Sequence, residues 1–219
     1  MVTVEVDPAH VESRLLSGEI DCPSCPSGVL GGWGHARVRR VVGATGPIRP
    51  RRSRCRGCSA THVLLPVVLL LRRAYLAEWI YAALQSAATG SGHRSIGAGL
   101  GVPATTVRGW IRVLTSRADA VRNHFLAVAV AAGVDVRVPK ATGSRCGDAL
   151  AAIDAARSAV GSRFGGDSVG EVTAASVSVA LSGGRLLAPG WPAGVGSPMQ
   201  HELPLPVCGD GQRSSDATV

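Results

Sequence analysis

Four of the six cysteines in this 219-residue chain come as two close pairs, Cys22-x-x-Cys25 and Cys55-x-x-Cys58, with 29 residues between the pairs. A Cys-x-x-Cys turn puts two thiolates on one side of a tight knuckle. Two knuckles brought face to face make the tetrahedral sulfur cage that Zn²⁺ prefers. An iron–sulfur or rubredoxin-like site, disulfides and free thiols are the other chemistries open to this pattern. No export signal precedes the pairs, because Met1 to Glu19 carries acids and lacks an apolar run. That favours metal over disulfide and points to a reducing cytoplasm. The expected cofactor is therefore one Zn²⁺ on Cys22, Cys25, Cys55 and Cys58. His62 lies close enough behind Cys58 to replace a thiolate, although four cysteines already complete the shell. Cys146 and Cys208 stand alone and receive no role.

The charge around the pairs indicates what such a site would serve. Residues 22–118 hold 14 arginines and a single acid, Glu78, whereas residues 1–21 hold five acids against Arg14. Residues 119–219 are nearly balanced, with nine acids and eight bases, so the formal net charge of +8 comes from one central block. Such a block is the electrostatic footprint of a polyanion partner, above all a nucleic acid; with the motifs below, the expected partner is double-stranded DNA. Arginine outnumbers lysine 22 to one, which a GC-rich coding bias explains; that bias does not remove acids from the same stretch.

Periodicity supplies the elements that must position these groups. Residues 1–21 read as an acidic leader, with Val2, Val4 and Val6 marking a candidate edge strand. Residues 22–66 read as a zinc ribbon whose strands are expected over Ala36–Val42 and Ile48–Arg54, joined by a Gly46-Pro47 turn. On the second strand Arg52, Arg54 and Arg56 share one side. Residues 67–118 carry helical spacing from about Pro66 (Leu69, Arg73, Leu76, Ile80, Leu84), with Tyr75, Trp79, Tyr81 and Trp110 as core aromatics. A short helix (Arg94–Leu100), a turn at Gly101 and a longer helix (Pro103–Leu114) complete a helix-turn-helix pattern, with Gly97 at the close crossing. Residues 119–187 predict further helices over Asp119–Ala132, Asp148–Arg163 and Gly170–Leu181, an alanine-rich segment suited to packing or to homodimerisation. Residues 188–219 read as a disordered tail. The expected fold class is thus mostly α: a small N-terminal β zinc ribbon, a helix-turn-helix three-helix unit, a C-terminal helical segment and a disordered tail. The apolar run His62–Leu71 is far shorter than the ~20 residues of a membrane span, so no membrane partner is expected.

With both motifs in place, the chain resembles an actinobacterial zinc-ribbon and helix-turn-helix family associated with mobile elements, similar to the amino-terminal DNA-binding region of insertion-sequence transposases. The residues that carry the resemblance are Cys22-Pro23-Ser24-Cys25, the run RRSRCRGCSATHVLLP from Arg51 to Pro66, and GHRSIGAGLGVPATTVRGWIR from Gly92 to Arg112. It covers about residues 20–118. The resemblance implies sequence-directed DNA binding, cytoplasmic location and no cofactor beyond zinc. Three positions depart from the pattern. Pro26 and Ser59 stand where knuckles usually have glycine, and Pro103 stands where the second helix commonly has a Ser or Thr cap.

In a helix-turn-helix the second helix lies in the major groove. Ala104, Thr105, Arg108, Gly109 and Arg112 are its expected outward positions. Arg108 is the candidate base reader, through a bidentate bond to guanine O6 and N7. Arg112 and Arg117 are expected on phosphate, and His93 and Arg94 open the preceding helix toward the backbone. Arg51, Arg52, Arg54 and Arg56 form a second candidate phosphate-gripping surface. Trp33 reads either as small-core packing or as a stacking platform. Strand-transfer chemistry needs about three converging carboxylates, and the acids after residue 118 are scattered through helical surroundings. The expectation is accordingly a non-enzymatic DNA binder, a transposition accessory or transcriptional regulator with a transposase or integrase as a further partner. A divergent or truncated transposase or recombinase, and a zinc protein docking on RNA polymerase or a transposase, are the alternatives.

Overall fold

A computed structural model describes residues 1–133, 136–164 and 172–192. Its first two elements come from the acidic leader. Strand β1 (Val2–Val4) is followed by α1 (Pro8–Ser17), which begins where the Asp7 carboxylate accepts the Ala9 amide at 2.9 Å and Pro8 presets the first turn. It ends at Gly18, whose φ of 76° is left-handed and open to glycine. Three more strands follow: β2 (Leu30–His35), β3 (Arg51–Cys55) and β4 (Thr61–Pro66). The sheet runs β1-β4-β3-β2, with β2–β3 and β3–β4 antiparallel and β1 parallel to β4, Val2 opposite Leu64 and Val4 opposite Pro66. Val4, Val11, Leu15, Ile20, Leu30 and Leu64 are buried in one cluster that also takes in Cys22 and Cys55.

These elements correct the expected fold class. The chain is mixed α/β rather than mostly α: a four-stranded mixed sheet and, among the described residues, seven helices, instead of a small ribbon ahead of a three-helix unit. The physical reason is the leader. A bare ribbon would leave the β4 edge with unpaired backbone groups; β1 pairs that edge, and α1 covers the sheet with Val11 and Leu15. Inside the sheet region two strand boundaries also move. Gly34, at φ 85°, lies in a register shift between Gly32 and His35; β2 ends at His35, and Ala36–Val42 makes the isolated bridges Arg39↔Ile48 and Val42↔Tyr75 instead of a strand. Strand β3 starts at Arg51, after Pro50, rather than at Ile48.

The six remaining helices are α2 (Ala77–Ala88), α3 (His93–Leu100), α4 (Ala104–Thr115), α5 (Ala118–Ala132), α6 (Arg145–Phe164) and α7 (Ala174–Leu181). Helix α2 does not start near Pro66, because the intervening amides are committed elsewhere. Val67 N–H donates to Val4 O and Leu71 N–H to Gly184 O, both at 2.8 Å, and Arg72 turns through φ 57°. Leu69 and Leu70 are buried in those turns. Of the helix expected over Gly170–Leu181, residues 170–171 lie outside the described residues, and α7 starts at Ala174, held by a Thr173–Ser176 capping box.

Helices α5 and α6 run parallel. Asp119 at the start of α5 pairs with Arg145 at the start of α6 at 2.5 Å, and Arg163 near the end of α6 donates to Ala131 O and Ala132 O at the end of α5. Ala118, Ala129, Ala149, Ala152, Ala156 and Ala159 are buried here, and small side chains let the two backbones approach closely. These faces are filled from within the chain. A homodimer through 119–187 would use the outer surface, where Val130 is exposed. The segment expected to be a disordered tail from residue 188 starts in the core: Ala188 is buried, as are Leu186 and Leu187 just before it, and Trp191 lies edge-on to His124 and Phe125. Only residues 193–219 of the predicted disordered segment, including Cys208, lie outside the described residues. No described helix is long and apolar enough to cross a membrane.

Candidate metal centre and nucleic-acid interface

The first knuckle is a tight loop closed by Cys22 N–H to Gly28 O at 2.7 Å and Gly28 N–H to Cys25 O at 3.3 Å. The second follows β3, closed by Cys55 N–H to Ala60 O at 2.8 Å and Ser59 N–H to Cys55 O at 3.1 Å. Together they bring the four sulfurs within 4.8 Å of one another, with Cys25–Cys55 at 3.5 Å and Cys22–Cys58 at 3.8 Å. A tetrahedral site with metal–sulfur bonds of about 2.3 Å has edges of about 3.8 Å. The cluster can therefore hold a metal ion. Cys22 and Cys55 are buried, Cys25 is half-buried and Cys58 is exposed, which places the cage at the rim of the sheet.

Backbone amides aim at the sulfurs unequally. Gly57 and Cys58 donate to Cys55 Sγ at 3.3 and 3.4 Å, and Ser24 donates to Cys22 Sγ at 3.4 Å. Ser59 takes the left-handed conformation (φ 62°) usually left to glycine, and so keeps the second knuckle's shape. Pro26 has no N–H to offer, and no backbone donor to Cys25 occurs among the described hydrogen bonds. The amide of Cys58, followed by that of Gly57, brings the Cys55 thiol down to about 6. Hydrogen bonds to the Cys55 and then the Cys58 thiol push Cys25 up to about 12. Of these two, Cys55 is the readier thiolate and Cys25 the thiol that a bound cation would have to deprotonate. Gly28 is a site residue that the spacing does not reveal. A β-carbon there would fall 2.3 Å from Cys25 Sγ and 2.5 Å from Cys55 Sγ, so the cage closes only around a glycine. His62 sits beside the cage, with Nε2 3.6 Å from Cys22 Sγ, and burial lowers its pKa.

The second candidate region is α3–α4. Gly101 makes the turn at φ 63°, and a β-carbon on Gly97 would stand 2.6 Å from Val102 O, so glycine sets the crossing. Val107, Trp110 and Leu114 are buried on one face of α4, each contributing about 1.5–3 kcal/mol. Tyr75 meets Trp110 edge-to-face at 5.1 Å. Thr105, Arg108 and Arg112 are exposed on the other side, Ala104 and Gly109 are half-buried beside them, and at the start of α3 Arg94 is exposed and His93 half-buried. Pro103 occupies the N-cap without a side-chain bond.

Arg117 is placed otherwise than expected. Its guanidinium donates to Ala188 O and, at 2.5 Å, to Trp191 O, which makes it a clamp on the last described segment rather than a free phosphate ligand. Arg73 does the same for Leu187 O. The ribbon arginines also divide. Arg51 forks onto both Glu12 oxygens and bonds Gly34 O at 2.6 Å, on the side of the sheet that faces α1. Arg52, Arg54 and Arg56 occupy the opposite side; Arg54 and Arg56 are exposed and Arg52 is half-buried. Glu12 gave no sequence signal as a partner, because it lies in a helix that the leader was not expected to form. Comparison with protein-family models, with curated proteins and with solved structures finds no match, so the chemistry of these two regions rests on their own residues.

Proposed function

We propose that the protein is a zinc-stabilised, sequence-directed DNA-binding protein, in which α4 reads the major groove and the arginine-bearing sheet face grips phosphate. The observation that carries this reading is the two-sided character of α4: Val107, Trp110 and Leu114 lock it into the core while Thr105, Arg108 and Arg112 stand free along the outer face. Arg108 pairs with guanine O6 and N7, Thr105 meets a thymine methyl or a phosphate, and Arg112 and Arg94 take phosphates. Four thiolates within 4.8 Å of one another match the set that Zn²⁺ takes in structural sites, which supports zinc as the ion. Bound there, the ion would tie the two knuckles together and so hold the sheet arginines in register. A binder rather than an enzyme is favoured by the described acids beyond residue 118. Asp119, Asp148 and Asp154 are engaged separately by Arg145, Thr142 and Arg157 and do not converge. Its biological setting is read as transposition accessory or transcriptional regulator, with a transposase or integrase as the protein partner.

Selection of bound duplexes from a random pool, with metal content measured on the same sample, tests the reading. One zinc per chain and an enriched motif are expected. Arg108→Ala should relax preference at one base pair, by about 1–3 kcal/mol, more than it lowers bulk affinity. Affinity should fall steeply with salt; a flat salt response from the folded, metallated chain would sink the proposal.

A further inference from the structure

One face of the sheet carries an aromatic ring that the core does not use. Trp33 is 51% exposed, the largest side chain among the exposed apolar residues, whereas Trp110 is buried. The pairing of Gly31 with Arg54 sets Gly31, Trp33, Arg52, Arg54 and Arg56 on one face, and Thr61 joins them from β4 opposite Arg54. The Arg54 guanidinium lies 4.8 Å from the Trp33 ring centroid and also donates to Ser59 O at 3.3 Å, so one face of the indole is covered and held. Arg56 lies back across Gly31, where an added β-carbon would come 3.2 Å from its Nε. The result is a shallow open hollow lined by Gly31, Gly32, Trp33, Arg54, Arg56 and Ser59. Glu12, the acid that α1 brings to β3, is already neutralised by Arg51 on the other side.

A half-exposed ring pinned on one face by a cation, with the Arg56 guanidinium in the same hollow, matches the chemistry of a nucleobase and its flanking phosphates. A base paired inside a duplex cannot reach it, because its faces are covered by its stacked neighbours. We propose that this hollow holds an unpaired nucleobase, stacked on Trp33, with Arg54 and Arg56 on the adjacent phosphates, so that the preferred ligand is DNA carrying a single-stranded extension. The proposal deepens the reading of the sheet arginines as a phosphate-gripping surface and is independent of base reading by α4.

Fluorescence anisotropy with the full zinc-loaded chain tests it, using a labelled blunt duplex and the same duplex with a short single-stranded extension of DNA or of RNA. The extended DNA should bind about 5- to 100-fold tighter than the blunt form. Trp33→Ala should erase that gain and leave blunt-duplex affinity unchanged, while Trp33→Phe should retain most of it. Equal affinity for blunt and extended DNA in the unaltered protein overturns the proposal. So does a Trp33→Ala loss shared equally by both ligands, and so does an extension bound only when it is RNA. If the extension binds while the blunt duplex does not, the platform stands and the α4 reading falls; the reverse result removes the platform alone. Metal content of each variant reports on the sheet, and Trp33→Leu, which keeps an apolar side chain without an aromatic face, carries the same comparison if Trp33→Ala fails to hold metal.

Discussion

At the metal centre a methyl group is enough to decide between a closed cage and an open one. A β-carbon on Gly28 would overlap the sulfurs of Cys25 and Cys55, whereas one on Gly57 would rest at an ordinary 3.6 Å from Cys25 Sγ. Gly28→Ala should therefore weaken zinc affinity by at least about tenfold, and Gly57→Ala should leave it near that of the parent, as read by chelator competition. Equal affinities in the two variants would show that the first knuckle can widen. Residue types explain what was legible here. Four cysteines announce themselves by spacing, because a Cys-x-x-Cys turn is a local geometry. Gly28 is invisible at that level, since its constraint comes from sulfurs on both knuckles and exists only once they meet. The same holds for Arg51 and Glu12, which lie far apart in the chain and form an ion pair only after α1 packs on the sheet.

Between elements, α3 carries two glycines of opposite consequence, one at the α3–α4 crossing and one away from it. Gly97 faces the Val102 carbonyl, while Gly99 sits in the same helix with nothing within 4 Å of an added β-carbon. Gly97→Ala should cost about 1–3 kcal/mol through forced separation of the helices. Gly99→Ala should add about 0.5–1 kcal/mol by restricting the unfolded chain and improving helix propensity. Thermal unfolding of the two single variants checks both signs. This pair of helices was readable because its apolar spacing, its turn glycine and its crossing glycine are all local. The start of α2 was not readable. Leu69, Arg73 and Leu76 keep a helical rhythm, yet the amides of Val67 and Leu71 are taken by Val4 and Gly184. A periodic pattern does not disclose that remote carbonyls outcompete the helix for its own donors.

On the scale of the whole molecule, the central arginines fall into two populations that charge counting merges. Arg112 faces solvent on α4, whereas Arg117 is bound to the carbonyls of Ala188 and Trp191. Arg112→Ala should leave the melting temperature nearly unchanged and lower the salt dependence of DNA binding by about one counterion. Arg117→Ala should keep the salt dependence and lower stability by about 1–3 kcal/mol, because two carbonyls lose a charged donor. An Arg117 variant that melts like the parent but binds DNA more weakly would return that residue to the interface. The packing of the acidic leader was not legible at this scale: alternating valines mark its strand, but only the fold shows that Val4, Val11 and Leu15 share one buried cluster with two cysteines of the cage. Ligation and packing are thereby joined in a single thermodynamic cycle. Whatever an ion held by the four sulfurs would add to the hold of α1 and β1 on the sheet, those two segments would return as affinity for the ion.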